Sequence, residues 1–127
     1  MQKHILLIDD DEDEYDMFLM VLGQVQGVTC SYASSAINGM RILATDKPDL
    51  VFLDVNMPLV DGLKCLTGIR NTAGLEDLPV VIYTTSGDAS LKENALRLGA
   101  SDFVQKPQSI SDLEVTLRKI CDRVLGI

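Results

Sequence analysis

Two periodicities alternate along the chain. Short, nearly continuous apolar or β-branched runs occur at His4–Ile8, Val28–Ala33, Leu50–Leu53, Val80–Tyr83 and Asp102–Gln105. Each is the length of a strand, and runs such as LVFL suit strands covered on both faces. Between them, apolar positions recur three and four residues apart, the spacing of one helix face. The stripes are Phe18, Val21, Leu22 and Val25; Ala36, Met40, Leu43 and Ala44; Leu59, Leu63 and Leu66; and Leu91, Ala95 and Leu98. The fifth is the longest, with Ile110, Leu113, Leu117, Ile120, Cys121 and Val124. Gly99 is placed to close the fourth helix, and Ser109 or Ser111 to cap the fifth.

Five strands alternating with five helices predict an α/β domain built on a five-stranded parallel sheet, with helices on both faces. Ligands of such open sheets sit beyond the carboxyl ends of the strands, where the strand order reverses. The groups at those ends are therefore the candidate chemistry. Strand 1 runs into Asp9, Asp10 and Asp11, and strand 3 into Asp54. Strand 4 runs into Thr84 and Thr85, and strand 5 into Lys106 and Pro107. Strand 2 ends in Ala33, Ser34 and Ser35, without a charge, which places it at an edge outside the site.

Composition narrows the function. The 127 residues suffice for one domain, residues 1–127, with a real core. The net charge is −8, and seven acids crowd the eight positions from Asp9 to Asp16. Elsewhere the 12 remaining acids nearly balance 11 basic residues, so the acidity is local. No basic footprint for nucleic acid is present. The longest early apolar run, Ile5–Ile8, is too short for membrane insertion or a signal peptide. Cys30, Cys65 and Cys121 are odd in number and widely spaced, which predicts reduced thiols and a cytoplasmic location.

The acidic block does not have one reading. A calcium loop fits Asp9, Asp11 and Asp13, but Glu14 stands where glycine is required and Met20 where the bidentate glutamate is required. Asp11, Glu12, Asp13 and Glu14 read as a solvated helix start, where the dipole favours acids by ~0.3–1 kcal/mol each. Asp9 and Asp10 belong to the strand end. Carboxylates suit Mg²⁺, and a carboxylate can also take a phosphoryl group as a nucleophile. A lysine and a hydroxyl at the same rim can neutralise phosphoryl oxygens. The plainer alternatives are a cap or turn role for Asp54, turn chemistry at Asp61–Gly62, a strand-end hydroxyl at Thr84, an exposed lysine at Lys106 and simple packing at Phe103. His4 starts strand 1, at the opposite end from these groups.

The stretches ILLIDDDED, VFLDVNMPLVDG, VVIYTTSG and GASDFVQKP, in that order, resemble the response-regulator receiver domain of two-component signalling. The resemblance covers almost the whole chain. It implies a flavodoxin-like sheet of order 2-1-3-4-5. Asp54 then matches the phosphoacceptor. Asp9 and Asp10 match the acidic pair that holds Mg²⁺ together with Asp54, and the Asn56 main-chain carbonyl would add a ligand. Thr84 matches the switch hydroxyl, Phe103 the aromatic switch and Lys106 the site lysine. Thr85 stands where a smaller residue is usual, and a cis peptide before Pro107 is common in the family. Asn56 and Ser86 occupy positions that tune phosphoryl lifetime.

The implied function is a stand-alone receiver with no output domain. It would be phosphorylated by a sensor histidine kinase or histidine phosphotransfer protein and would switch contacts with a downstream protein. It would catalyse only its own phosphorylation and dephosphorylation. The alternatives are a phosphorelay intermediate and an aspartyl-phosphate phosphatase of haloacid-dehalogenase type. The latter needs an acid two residues after the nucleophile, where this chain has Asn56. Glycine-rich nucleotide-binding motifs are absent from the sequence.

Overall fold

The computed structural model describes residues 2–56 and 62–127. The strands are β1 (Lys3–Ile8), β2 (Val28–Ala33), β3 (Leu50–Leu53), β4 (Val80–Thr84) and β5 (Asp102–Gln105). They form one parallel sheet of order β2-β1-β3-β4-β5, as the resemblance implied. The helices are α1 (Glu12–Leu22), α2 (Ala36–Thr45), α3 (Gly62–Arg70), α4 (Ala89–Arg97) and α5 (Ile110–Ile120). The predicted positions Leu59 and Asp61 lie outside the described residues.

The pleat explains the continuous apolar runs. Successive side chains of a strand point to opposite faces, so a strand covered twice must be apolar at every position. Leu6, Ile8, Val51, Leu53, Val80 and Ile82 pack with residues of α2, α3 and α4. Ile5, Leu7, Leu50, Phe52, Val81 and Tyr83 face the other way, toward Phe18 and Val21 of α1 and Leu113 and Leu117 of α5. Phe18, Phe52 and Tyr83 meet edge-on, with ring centroids 5.1–5.9 Å apart.

Several helix details differ from the stripe pattern. Helix α1 stops at Leu22 with Gly23 as its cap, so Val25 is in the following turn. In α2, Ala44 is exposed and Gly39 faces inward instead. Helix α4 packs on the edge strand β5 and buries only Ala95, which leaves Leu98 39% exposed. Gly99 follows it with φ of 107°, the left-handed conformation expected at such an end. Ser109 is the cap of α5, accepting from the Asp112 N–H at 3.1 Å. Beyond Ile120 the helix widens into a π turn, Cys121–Leu125. That extra residue in the turn buries Leu125 and leaves Val124 half-buried. The Lys106–Pro107 bond is trans, because no cis peptide occurs among the described residues. Trans is the lower-energy isomer of an X–Pro bond.

Candidate functional site

Sheet ladders continue past the strand ends and fix the site residues. Asp9 N–H donates to Ala33 at 3.0 Å, Asp54 N–H to Ile8 at 2.9 Å, and Lys106 N–H to Thr84 at 2.6 Å. Asp9 and Asp54 therefore stand side by side on β1 and β3. The strand order reverses there, since β2 lies on one side of β1 and β3 on the other.

Among the described residues, the buried charged and polar groups are Asp9, Asp54 and Thr84, at 0%, 4% and 0% exposure. Lys106 reaches them from β5 with a side chain only 8% exposed, which removes the reading of an ordinary surface lysine. Its ammonium donates to Asp9 Oδ2 at 2.7 Å and to Asp54 Oδ2 at 3.4 Å. The other Asp54 oxygen, Oδ1, accepts the Asn56 N–H at 2.9 Å. Asp9 Oδ1 likewise accepts the Asp11 N–H at 2.9 Å. Both carboxylates are thus held at both oxygens.

Burial pushes the Asp9 carboxyl up to about 6, although Lys106 and the Asp11 amide act to lower it. For Lys106, burial alone would lower the ammonium. Asp9, Asp54 and Glu14 together outweigh it and raise the net value, so the lysine stays charged. Asp10 is exposed. One carboxylate oxygen from each of Asp9, Asp10 and Asp54 lies within 4.8 Å of the others, a set of hard oxygen donors that could hold a metal ion.

The hydroxyl of Thr84 accepts from the Asn56 side-chain amide at 2.7 Å and from the Ser86 N–H at 3.4 Å. Thr85 is exposed at the rim, and its carbonyl accepts from Gln105 at 3.2 Å. Phe103 is half-buried against the α2–α3–α4 side of the core. His4, near the amino end of β1, bonds Thr29 Oγ1 of β2 at 2.8 Å, away from the site.

Two participants were not among the sequence candidates. Glu14 was expected on a solvated helix start, but its side chain is 12% exposed and lies 3.9 Å from the Lys106 ammonium. Its carboxylate also accepts from the Tyr83 hydroxyl at 3.2 Å. The signal was helical spacing: Glu14 is four residues before Phe18 and seven before Val21, on the inward face of α1. Tyr83 lies under the lysine, with its ring centroid 5.5 Å from the ammonium. Burial first, then Glu14, raises the Tyr83 phenol, which keeps it a neutral donor. Asp11, Glu12 and Asp13 do form the exposed helix start, with Asp11 capping the Asp13 N–H at 3.0 Å.

The family model described as "Response regulator receiver domain" matches residues 5–118. This chain belongs to the response-regulator receiver family. Receivers are signalling domains rather than enzymes acting on a separate substrate. The response regulator MprA of Mycobacterium ulcerans is 31% identical over 123 residues, covering 97% of this chain and 52% of that protein. The probable transcriptional regulator ycf27 of Cyanidium caldarium is 34% identical, covering 97% and 48%. The chain thus spans about half the length of the curated relatives it matches.

Among solved structures, the phosphorylated cyanobacterial phytochrome response regulator RcpA shares the fold with a TM-score of 0.91 at 22% identity, over 98% of this receiver and 95% of that chain. The Mn²⁺-bound form of Rcp1 gives 0.85 at 24% identity, over 94% and 92%. A response regulator from Chloroflexus aurantiacus gives 0.82 at 27% identity, over 94% and 98%. No described helix of this receiver is long and apolar enough to cross a membrane.

Proposed function

We propose that this receiver accepts a phosphoryl group on Asp54 from a phosphohistidine partner, in a Mg²⁺-dependent reaction, and thereby switches its contacts with other proteins. The observation that carries the reading is the Asp54 carboxylate. It is 4% exposed and held by the Asn56 amide and Lys106, with Asp9 and Asp10 oxygens within 4.8 Å. Fixed orientation and local positive charge are what phosphoryl transfer requires of a protein. Asp9, Asp10 and Asp54 would hold Mg²⁺, with the Asn56 main-chain carbonyl as a further ligand, and the ion supplies positive charge against the phosphoryl oxygens.

An Asp54 oxygen forms the new P–O bond as the P–N bond to the donor imidazole breaks, and the departing nitrogen keeps the electron pair and takes a proton. Lys106 leaves its 3.4 Å contact with Asp54 free to follow the charge onto the phosphoryl oxygens. Thr84 already accepts two hydrogen bonds, so its own proton is available to a phosphoryl oxygen. A turn of that hydroxyl gives up the 2.7 Å bond from Asn56, which couples the phosphorylated aspartate to β4 and to its neighbour β5, the strand that carries Phe103. The kinase or phosphotransfer partner rests on the family, and the cytoplasmic location on the free thiols of Cys30, Cys65 and Cys121. The Asn56 side chain is an amide and offers no proton to a leaving group, which disfavours the phosphatase reading.

The test is incubation with acetyl phosphate and Mg²⁺, read by intact mass. The wild type gains one phosphoryl group, and Asp54→Asn and chelator-treated protein gain none. Normal labelling of Asp54→Asn would refute the assignment.

A further inference from the structure

On the face of the sheet opposite α1, helices α2 and α3 leave between them an open apolar groove of about 500 Å³. Buried Ala36 and Cys65 form its floor with Gly68, and Ile37 (59% exposed) and half-buried Met40 form its walls. Exposed Arg41 and Lys64 stand at its rim. Among the described residues, neither has a carboxylate within 4.0 Å. Lys64 is shared with the next hollow, between α3 and α4, where Arg97 bonds only the neutral Asn94 amide oxygen. A protein with a net charge of −8 thus borders this apolar strip with cations that have no acidic partner among the described residues.

Gly68 supports a role for the opening. A glycine inside a helix costs roughly 0.5–1 kcal/mol relative to alanine. At Gly39 the fold demands it, because an added Cβ would lie 2.5 Å from Ile8. At Gly68 an added Cβ would meet only the tip of Met40, at an ordinary 3.9 Å. The packing of the domain does not require this glycine, whereas an open groove floor does.

We propose that the α2–α3 groove docks an amphipathic helix of a partner protein whose apolar stripe is flanked by acidic side chains. The apolar floor takes the stripe, and Arg41 and Lys64 pair with the flanking carboxylates. The surface lies away from the strand ends, so the proposal stands apart from phosphorylation at Asp54.

The probe is a labelled helical peptide with Leu at positions i, i+3, i+4 and i+7 and Glu on both flanks, followed by fluorescence anisotropy. Controls replace every Glu by Lys, or every Leu by Ser. The Glu peptide binds this protein, and both controls bind at least about tenfold more weakly. Binding weakens in 1 M salt, where the Debye length is about 3 Å. Gly68→Leu fills the floor without removing any contact of the fold. It retains the wild-type melting temperature or exceeds it, and loses the peptide. Arg41→Glu with Lys64→Glu transfers the preference to the Lys peptide. The proposal is overturned if the Glu peptide does not bind, if Gly68→Leu binds it equally, or if the Lys peptide binds as well. It is also overturned if sedimentation shows that the protein self-associates and Ile37→Glu dissolves the assembly, since the occupant is then a second copy. Asp54→Asn binds the Glu peptide as the wild type does.

Discussion

Asp9 is fully buried with an ammonium 2.7 Å away, yet burial pushes its carboxyl from the usual 3.8 up to about 6. Desolvation outweighs the lysine because Lys106 is shared among Asp9, Asp54 and Glu14. Linkage then has a definite sign. A carboxyl whose folded value is raised contributes stability that is complete below pH 3.8 and lost as pH rises through about 6. In chelator-treated protein, the stability of Asp9→Asn relative to wild type therefore improves between pH 4 and 7. The gain is on the order of 1–3 kcal/mol and is measured by urea unfolding at each pH. A difference that stays flat across that range would show that Asp9 is not desolvated as described. At this scale the sequence marked the four groups by position: Asp9, Asp54 and Thr84 each follow directly on an apolar run, and Lys106 stands one polar residue after Phe103 and Val104. Glu14 and Tyr83 stayed hidden. An acid in a helix's first turn has a sufficient local explanation in the dipole, and a tyrosine in an apolar strand has one in packing. Glu14 reaches Lys106 from the inward face of α1 and Tyr83 from the α1-facing side of β4, a meeting that only the tertiary fold sets.

The start of α3 presses on the strand that carries Asp54. A Cβ at Gly62 would lie 2.4 Å from the Val55 Cα and 2.6 Å from the Asp54 carbonyl oxygen. Both are backbone atoms and cannot swing aside, so glycine is needed at position 62 for close approach. Gly62→Ala accordingly lowers stability by about 1–3 kcal/mol, despite the better helix propensity of alanine. It also slows acetyl phosphate labelling, since the relief must come from the backbone beside Asp54. Urea unfolding and an intact-mass time course check the two effects, and a variant as stable as wild type would contradict the contact. The central strands β1, β3 and β4 were legible to within a residue, because their doubly covered stretches are nearly continuous apolar runs. Helices were legible on faces that meet the sheet centre, as in α5 with Leu113 and Leu117. Helix α4 was less so. Its stripe marks an apolar face, but an edge strand offers little to cover it, and Leu98 stays at 39% exposure. Periodicity records that a face is apolar without recording what lies against it.

For the whole molecule, the net charge of −8 raises a question that no single residue answers. A divalent cation could stabilise so acidic a chain merely by screening self-repulsion, or by binding where Asp9, Asp10 and Asp54 converge. The two accounts separate in a matched pair of variants. Asp10→Asn and Asp13→Asn remove one charge each from the same acidic block, but only Asp10 belongs to the converging set. A ligand that binds only the folded state adds RT ln(1 + [L]/Kd), about 1.4 kcal/mol at ten times Kd. For a domain of this length that corresponds to a rise of roughly 3–6 °C in melting temperature. The expected outcome is a rise of that size with millimolar Mg²⁺ at constant ionic strength, retained in Asp13→Asn and much reduced in Asp10→Asn. Equal responses in the two variants would assign the effect to general screening. No response in the wild type would remove the metal from the proposed phosphorylation, and Lys106 would then be the chief counter-charge to the buried carboxylates.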